Sequence, residues 1–498
     1  MIGQVTSTLI LALATIIVAR QLGPVGYGEY AVVMVPVGIA TLFMDPGISE
    51  ALTKYLAQYQ YQGKEKERLL TQTTGYTLNI MIAGLISLIM FVLATPISSV
   101  FLHRPELELL VRFASLSILG QALINTSCAI FVGYFRMELQ SITLIVYAAL
   151  KTLAMPLLVY LGFGSAGAVI GYTAAILGAG VAGTVLSLAF LKYKPGSLSF
   201  KLSLAEARQI LSYGAPLYAS TIISGGLTQI YNSLMVIYVT TAQIGNWSVA
   251  QNFEALILLI VAPISTALFP LFSKIERGSL DLGHAYRDTV KYSALIALPC
   301  AVALVALSDP MIEIVYGASY PLSSEYFRLF LLGYLTIGIG SVCLPALLNG
   351  QGETRIVFRM NAMTLAVGAF LALLLIPSMA ITGLIIALII SPIPANLYAL
   401  LWIRRHMGLS PDWVSSAKIY ASSITALAVT FLFTTFIHLT SWPKLVAGAA
   451  IYLAAYTAMI KATRILSSVD YEIFRAIIDD AGPLAKPLRR IIDIIEKI

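Results

Sequence analysis

A chain of 498 residues that is 58% hydrophobic and only 11% charged, with a mean hydropathy of +0.87, cannot be a string of soluble domains, which carry about 25% charged residues. Three cysteines (Cys128, Cys300, Cys343) lie far apart in apolar runs, so neither a disulfide framework nor a metal cluster is indicated. The net charge of +7 would suit nucleic acid, but where the basic residues fall explains it better.

Apolar runs of about 20 residues predict fourteen membrane spans. The first two are 2–19 and 29–45, on either side of Gly23-Pro24. Ala12-Leu13-Ala14 resembles a signal-cleavage site, but no basic region precedes it, so the run is read as a retained helix. Span one ends at Arg20. Span two ends at Asp45, which in "MDPGISE" is placed to cap a following loop helix. Spans three to six are 76–95, 109–134, 140–160 and 165–191. Arg112 lies just inside the fourth, with the amides Gln121 and Asn125 deeper in it. The fifth carries a single charge, Lys151, about eleven residues in and therefore near mid-membrane. A lysine there costs roughly 2.5–3.5 kcal/mol, so it should face a wet cavity or an acidic partner.

The basic linker Lys192–Arg208 leads to span seven, 210–240, which holds Gln229 and Asn232. Span eight, 247–272, places Glu254 one and a half to two turns in, within "VAQNFEALILL". A carboxylate there suits proton uptake coupled to transport, or the counter-ion of an arginine. Spans nine to twelve are 291–308, 325–348, 361–377 and 381–402, with Arg328 opening the tenth; 308–324 is the longest outward loop. Spans thirteen and fourteen are 416–438 and 444–463. The tail 464–498 is too polar to span, and "PLRRIIDIIEKI" predicts amphipathic helices on the cytoplasmic leaflet.

Basic residues sort by side: 25 on one face against five on the other (Arg20, Arg104, Arg112, Arg328, Lys444), with Lys151 between. The positive-inside rule then puts both termini in the cytoplasm. The halves also match. Gly28 in "GEYAV" and Gly245 in "GNWSV" are 217 residues apart, as are Gly133 and Gly350. Arg112 and Arg328 are 216 apart, as are Gly167 and Gly383, and Lys54 and Lys274 are 220 apart. Five matches in order predict a duplication of six spans, parallel because six is even. The expected architecture is an all-α integral membrane protein: a six-helix lobe over 1–200, a second over 201–405, two added helices over 406–463 and the tail 464–498.

The stretch "ARQLGPVGYGEYAVV" (Ala19–Val33), then "MDPGISEALTKYLAQY" (Met44–Tyr59) and "YGAP" (Tyr213–Pro216), resemble polysaccharide transporters, the Wzx-type flippases of the multidrug/oligosaccharidyl-lipid/polysaccharide (MOP) superfamily. The resemblance covers nearly the whole chain. It implies a V-shaped pair of lobes that carries a polyprenyl-pyrophosphate-linked oligosaccharide from the cytoplasmic to the outer leaflet. It makes Lys151 a point charge for pyrophosphate and Arg20 a cavity-lining residue. Arg112 and Arg328 share a role, either substrate contact or anchoring to outer-leaflet phosphates. Gln121 and Asn232 can hydrogen-bond sugar hydroxyls or join helices. Asn232 stands where relatives often have Asp, which departs from a carboxylate ion site there.

No cofactor is implied. The expected partners are the lipid-linked oligosaccharide, the membrane, a proton or sodium ion acting through Glu254, and other glycan-assembly proteins. The rival readings are a lipid II flippase or a cation-coupled multidrug exporter. The latter would show a cavity led by carboxylates, whereas the mid-membrane charge here is basic. An enzyme is disfavoured: the outward loops are short, the four histidines are scattered and no nucleotide loop occurs.

Overall fold

The computed structural model describes residues 2–190, 203–437, 440–466 and 470–471. The predicted amphipathic helices of the tail lie outside the described residues, as does most of the linker before span seven. Every regular element described is a helix. In chain order these are α1 (Ile2–Thr41), α2 (Ile48–Gln62), α3 (Glu65–Val92), the one-turn α4 (Ala94–Pro96), α5 (Glu108–Gly133), α6 (Met137–Leu158), α7 (Gly164–Phe190), α8 (Leu204–Tyr238) and α9 (Thr241–Asn252). They continue as α10 (Glu254–Lys274), α11 (Leu280–Tyr316), α12 (Ser323–Leu331), α13 (Cys343–Gly350), α14 (Thr354–Ile390), α15 (Pro392–Met407), α16 (Trp413–Phe436) and α17 (Ser441–Ala462). Among the described residues nine helical stretches are long and apolar enough to cross a membrane, or ten with the bent pair Ser323–Ile339 and Cys343–Gly350.

The helices pack as membrane helices do, with polar and small faces inward. On α3 the buried residues include Thr71, Gln72, Gly75, Asn79, Ala83 and Ser87, while Leu85, Leu88, Ile89 and Val92 are exposed. Lipid is as apolar as leucine, so helix association relies on close approach and interhelical hydrogen bonds rather than hydrophobic burial. The Tyr76 hydroxyl joins Ser127 (2.9 Å) and Ser187 (2.8 Å), and Ser87 donates to the Ser115 carbonyl at 2.8 Å.

Two compact units form. The first holds Met1–Asn252, Ala318–Leu322 and Leu365–Leu384, built on α5, α6 and α7 with α1 against α6 and α9. The second holds Phe253–Gly317, Ser323–Thr364 and Ile385–Ile498. In it α10 packs on α13, and α11 packs on α16 and α17.

Long helices are broken where the backbone leaves helical space. In α1 the break is Gly23 (φ 65°), a conformation that L side chains rarely adopt. Between α6 and α7 it is Gly162 (φ 92°) and Gly164 (φ 54°), and in α14 it is Ala380 (φ 51°). One expectation needs adjusting. The stretch 308–324 is not a loop throughout, because α11 runs on to Tyr316 and ends at Gly317. A helix leaving the bilayer keeps its backbone hydrogen bonds, so Ser308, Asp309 and Pro310 need not end it. Glu254 lies within the apolar stretch Thr241–Lys274, in the first turn of α10, just past Phe253, which keeps helical backbone angles.

Candidate functional site

In the first unit the second half of α1, the start of α2, and α5, α7 and α8 enclose a cavity of about 420 Å³. Its polar lining converges from separate helices: Gln121 and Asn125 on α5, Tyr172 on α7, Gln229 on α8. The Gln121 amide donates to Asn125 at 2.8 Å, one turn along α5. The Oε1 atom of Gln229 is buried without a partner among the described residues, so an acceptor is left available. Gly38 makes room for it, since a Cβ there would stand 3.1 Å from that oxygen.

Acidic residues sit at one end of this lining. Asp45 accepts from the backbone N–H of Ile48 (2.7 Å) and of Ser49 (3.2 Å), the helix-capping role expected of it, and Glu50 is exposed. Asn232 is half-buried one turn beyond Gln229 and does not line the cavity.

Lys151 on α6 is half-buried and does not line the cavity either. Its ammonium lies 5.5 Å from the ring centre of Tyr172, which does. No carboxylate among the described residues is within ion-pair reach of it. The anticipated acidic partner is therefore replaced by an aromatic face, worth about 0.5–2 kcal/mol. Tyr172 meets Tyr30 edge-on at 6.3 Å, Tyr30 stacks on Tyr27 at 6.1 Å, and the Tyr27 hydroxyl accepts from Asn252 at 3.2 Å. The i, i+3 spacing of Tyr27 and Tyr30 puts them on one face of α1, but Tyr172, on α7, carried no signal in the sequence that it would join them.

The other expected residues do not join this group. Arg20 is exposed, three residues before the Gly23 break. Arg112 pairs with Glu108 one turn back at 2.6 Å and lies near the Phe91 ring. In the second unit Arg328 pairs with Asp309 at 3.1 Å. Also there, Glu254 accepts a hydrogen bond from the Tyr334 hydroxyl at 2.9 Å, beside a cavity of about 250 Å³ that also exposes Thr336 and Ser341. Among the described residues no group of His, Cys, Asp or Glu could hold a metal ion.

Arg104, not expected to have a role, does definite work. It donates to the carbonyls of Val236 (2.9 Å) and Val239 (3.0 Å) and to the Thr241 hydroxyl (3.1 Å), closing the C-terminus of α8. Close by in sequence, α1 and α9 meet through glycines. A Cβ on Gly28 would lie 1.9 Å from the Thr241 carbonyl oxygen, and one on Gly245 would lie 1.9 Å from that of Pro24. Tyr320 adds a hydrogen bond to the Ala19 carbonyl at 2.6 Å.

The family model described as "Polysaccharide biosynthesis protein" matches residues 17–325. A "Probable low-salt glycan biosynthesis flippase" of Haloferax volcanii is 20% identical over 281 residues, which is 56% of this chain and 59% of that relative. Among solved structures, a lipid II flippase MurJ in an inward closed conformation superposes with a TM-score of 0.74 at 17% identity, over 93% of this chain and 98% of the other. An inward-facing multidrug transporter of the MATE family of the MOP superfamily gives a TM-score of 0.63 at 16% identity, over 80% and 94%. These two likenesses establish the fold. The chain is a multi-pass helical membrane protein with the fold shared by MurJ and MATE transporters, and it belongs to the polysaccharide biosynthesis protein family.

Proposed function

We propose that this protein is a flippase that moves a polyprenyl-pyrophosphate-linked oligosaccharide from the cytoplasmic to the outer leaflet of the plasma membrane by alternating access, without chemistry of its own. The observation that carries the reading is the ammonium of Lys151, without a carboxylate partner among the described residues, behind Tyr172 and next to a chamber lined by Gln121, Asn125 and Gln229, in which Asp45 is engaged in capping α2 and Glu50 is exposed. A cation with no carboxylate partner suits a pyrophosphate head, and amides with spare hydrogen-bonding capacity suit sugar hydroxyls. The naming of one relative as a probable glycan biosynthesis flippase, and family membership, agree with this.

Fourteen spans fit the helices described. The breaks at Gly23, Gly162–Gly164 and Ala380 turn nine stretches into twelve. The bent pair adds one, and α8, 35 residues long, adds the last. Both termini are then cytoplasmic. The duplication gains support from matched contacts. Gly28 and Gly245 face each other's neighbours reciprocally, and Gly133 against Thr53 and Leu56 repeats as Gly350 against Phe269 and Phe272. Lobes over 1–200 and 201–405, followed by two added helices over 406–463, are the organisation this repeat supports. Arg20 lines the substrate path on this reading, Arg112 and Arg328 serve the outer side, and Asn232 joins helices or sugars. Glu254, held by Tyr334, takes up the coupling proton or sodium ion. Other glycan-assembly proteins supply and consume the cargo.

The test is translocation of a fluorescent polyprenyl-pyrophosphate oligosaccharide in proteoliposomes. Losing one charge-assisted contact of about 1.5–3 kcal/mol should cut transport by Lys151→Gln tenfold or more, with Lys151→Arg retaining part of it. Equal rates for wild type and Lys151→Gln would remove Lys151 from the path. Failure of the wild type under every ion gradient would count against this cargo.

A further inference from the structure

On the topology proposed above, Arg20 and four further basic residues fall on the face that should be poor in them, and the structure gives those four a physical setting. Arg104 closes α8 and Arg112 is held by Glu108. Arg328 and Lys444 instead converge on one groove of the second unit, a cavity of about 940 Å³ between α11, α12, α16 and the start of α17. Along α16 its wall is Ile424, Leu427, Ala428 and Phe431, then Thr434 and Thr435. These positions recur every three or four residues and so form one helix face. At 1.5 Å per residue the wall is about 16 Å long, close to one leaflet of a hydrocarbon core about 30 Å thick. It is apolar at one end. At the other it carries hydroxyls and the two cations.

The charges at that end do not cancel. Arg328 spends Nη2 on Asp309 and Nε on the Ser324 carbonyl. The Lys444 ammonium has no carboxylate within ion-pair reach among the described residues. Nearby Glu313 accepts from the Ser441 hydroxyl at 2.6 Å and does not line the groove. Among the described residues that line the groove, two cations and one carboxylate leave a net charge of +1.

We infer that this groove binds one membrane phospholipid of the outer leaflet with a singly anionic phosphodiester headgroup, its phosphate held by Lys444 and Arg328 and an acyl chain laid along α16. A long polyprenol would overrun a groove one leaflet deep. The assignment to the outer leaflet rests on the topology proposed above; the binding itself does not rest on flippase activity.

The experiment uses the purified full chain in detergent, titrated with dioleoylphosphatidylglycerol or dioleoylphosphatidylcholine and read by native mass spectrometry and thermal unfolding. Phosphatidylglycerol should bind at least tenfold more tightly and raise the unfolding midpoint more. Lys444→Gln should abolish that preference, and Lys444→Arg should retain it. Ala428→Trp, at an exposed position, should fill the groove and weaken both lipids. Equal binding of the two lipids, or a preference that survives both Lys444→Gln and Ala428→Trp, would overturn the site. Displacement of phosphatidylglycerol by a polyprenyl phosphate would give the groove to the cargo instead. Because no cargo is translocated, this result is independent of the flippase assay.

Discussion

Gly28 shows how much rests on a single missing methyl group. Its would-be Cβ falls on the Thr241 carbonyl, a backbone atom that cannot rotate away, and Gly245 has the same relation to Pro24. Gly28→Ala should therefore destabilise the fold by about 1–3 kcal/mol, the usual range for overpacking. Thermal unfolding in detergent would read this, and an unchanged midpoint would mean that α1 and α9 are not in this contact. The sequence already paired these two glycines as repeat equivalents, but not as neighbours: equivalence is an offset along the chain, whereas contact depends on how helices pack. Lys151 was legible for the same reason in reverse. A charge in an apolar run is visible from composition, while its partner Tyr172 belongs to another helix and looks like any other aromatic residue.

At the scale of elements, helix ends carry the more local lesson. Asp412 opens α16 and accepts from the N–H groups of Val414 and Ser415, both at 3.1 Å. Partial burial pushes its carboxyl up, but hydrogen bonds from the Ser415 hydroxyl and from these two N–H groups outweigh it and hold it below the usual carboxylate value. A depressed carboxyl stabilises the fold fully above its unfolded value near pH 3.9 and loses that contribution as pH falls through the lower folded value. Asp412→Ala should cost about 1 kcal/mol at neutral pH. The gap should shrink below about pH 4, where the wild type loses its ionised cap. Denaturation at the two pH values would check this, and a gap that widened in acid would refute the capping role. Breaks were less legible. Sharp kinks usually fall at proline or at glycine pairs, yet α8 runs unbroken through Pro216 and Gly225-Gly226, while α14 passes Pro377 and breaks at Ala380.

For the whole molecule, the proposed orientation rests on counting basic residues on alternate loops. A fluorescent protein fused after Ile498 should be bright and a phosphatase fused there inactive; the opposite pair would overturn the cytoplasmic C-terminus, by an odd number of spans or an inverted orientation. The sequence by itself determined the membrane solvent, the all-helical class and the odd charges. Each of these is written in local composition, and a bilayer forces helices on any long apolar run. The tertiary structure alone decided which residues meet. It put an aromatic ring rather than a carboxylate beside Lys151, paired Gly28 with Gly245, set Tyr334 on Glu254, and brought Arg328 and Lys444 to one groove. Those partners come from different helices, and in lipid the choice among helix faces is made by close packing and hydrogen-bond satisfaction, which leave no periodic trace in the chain.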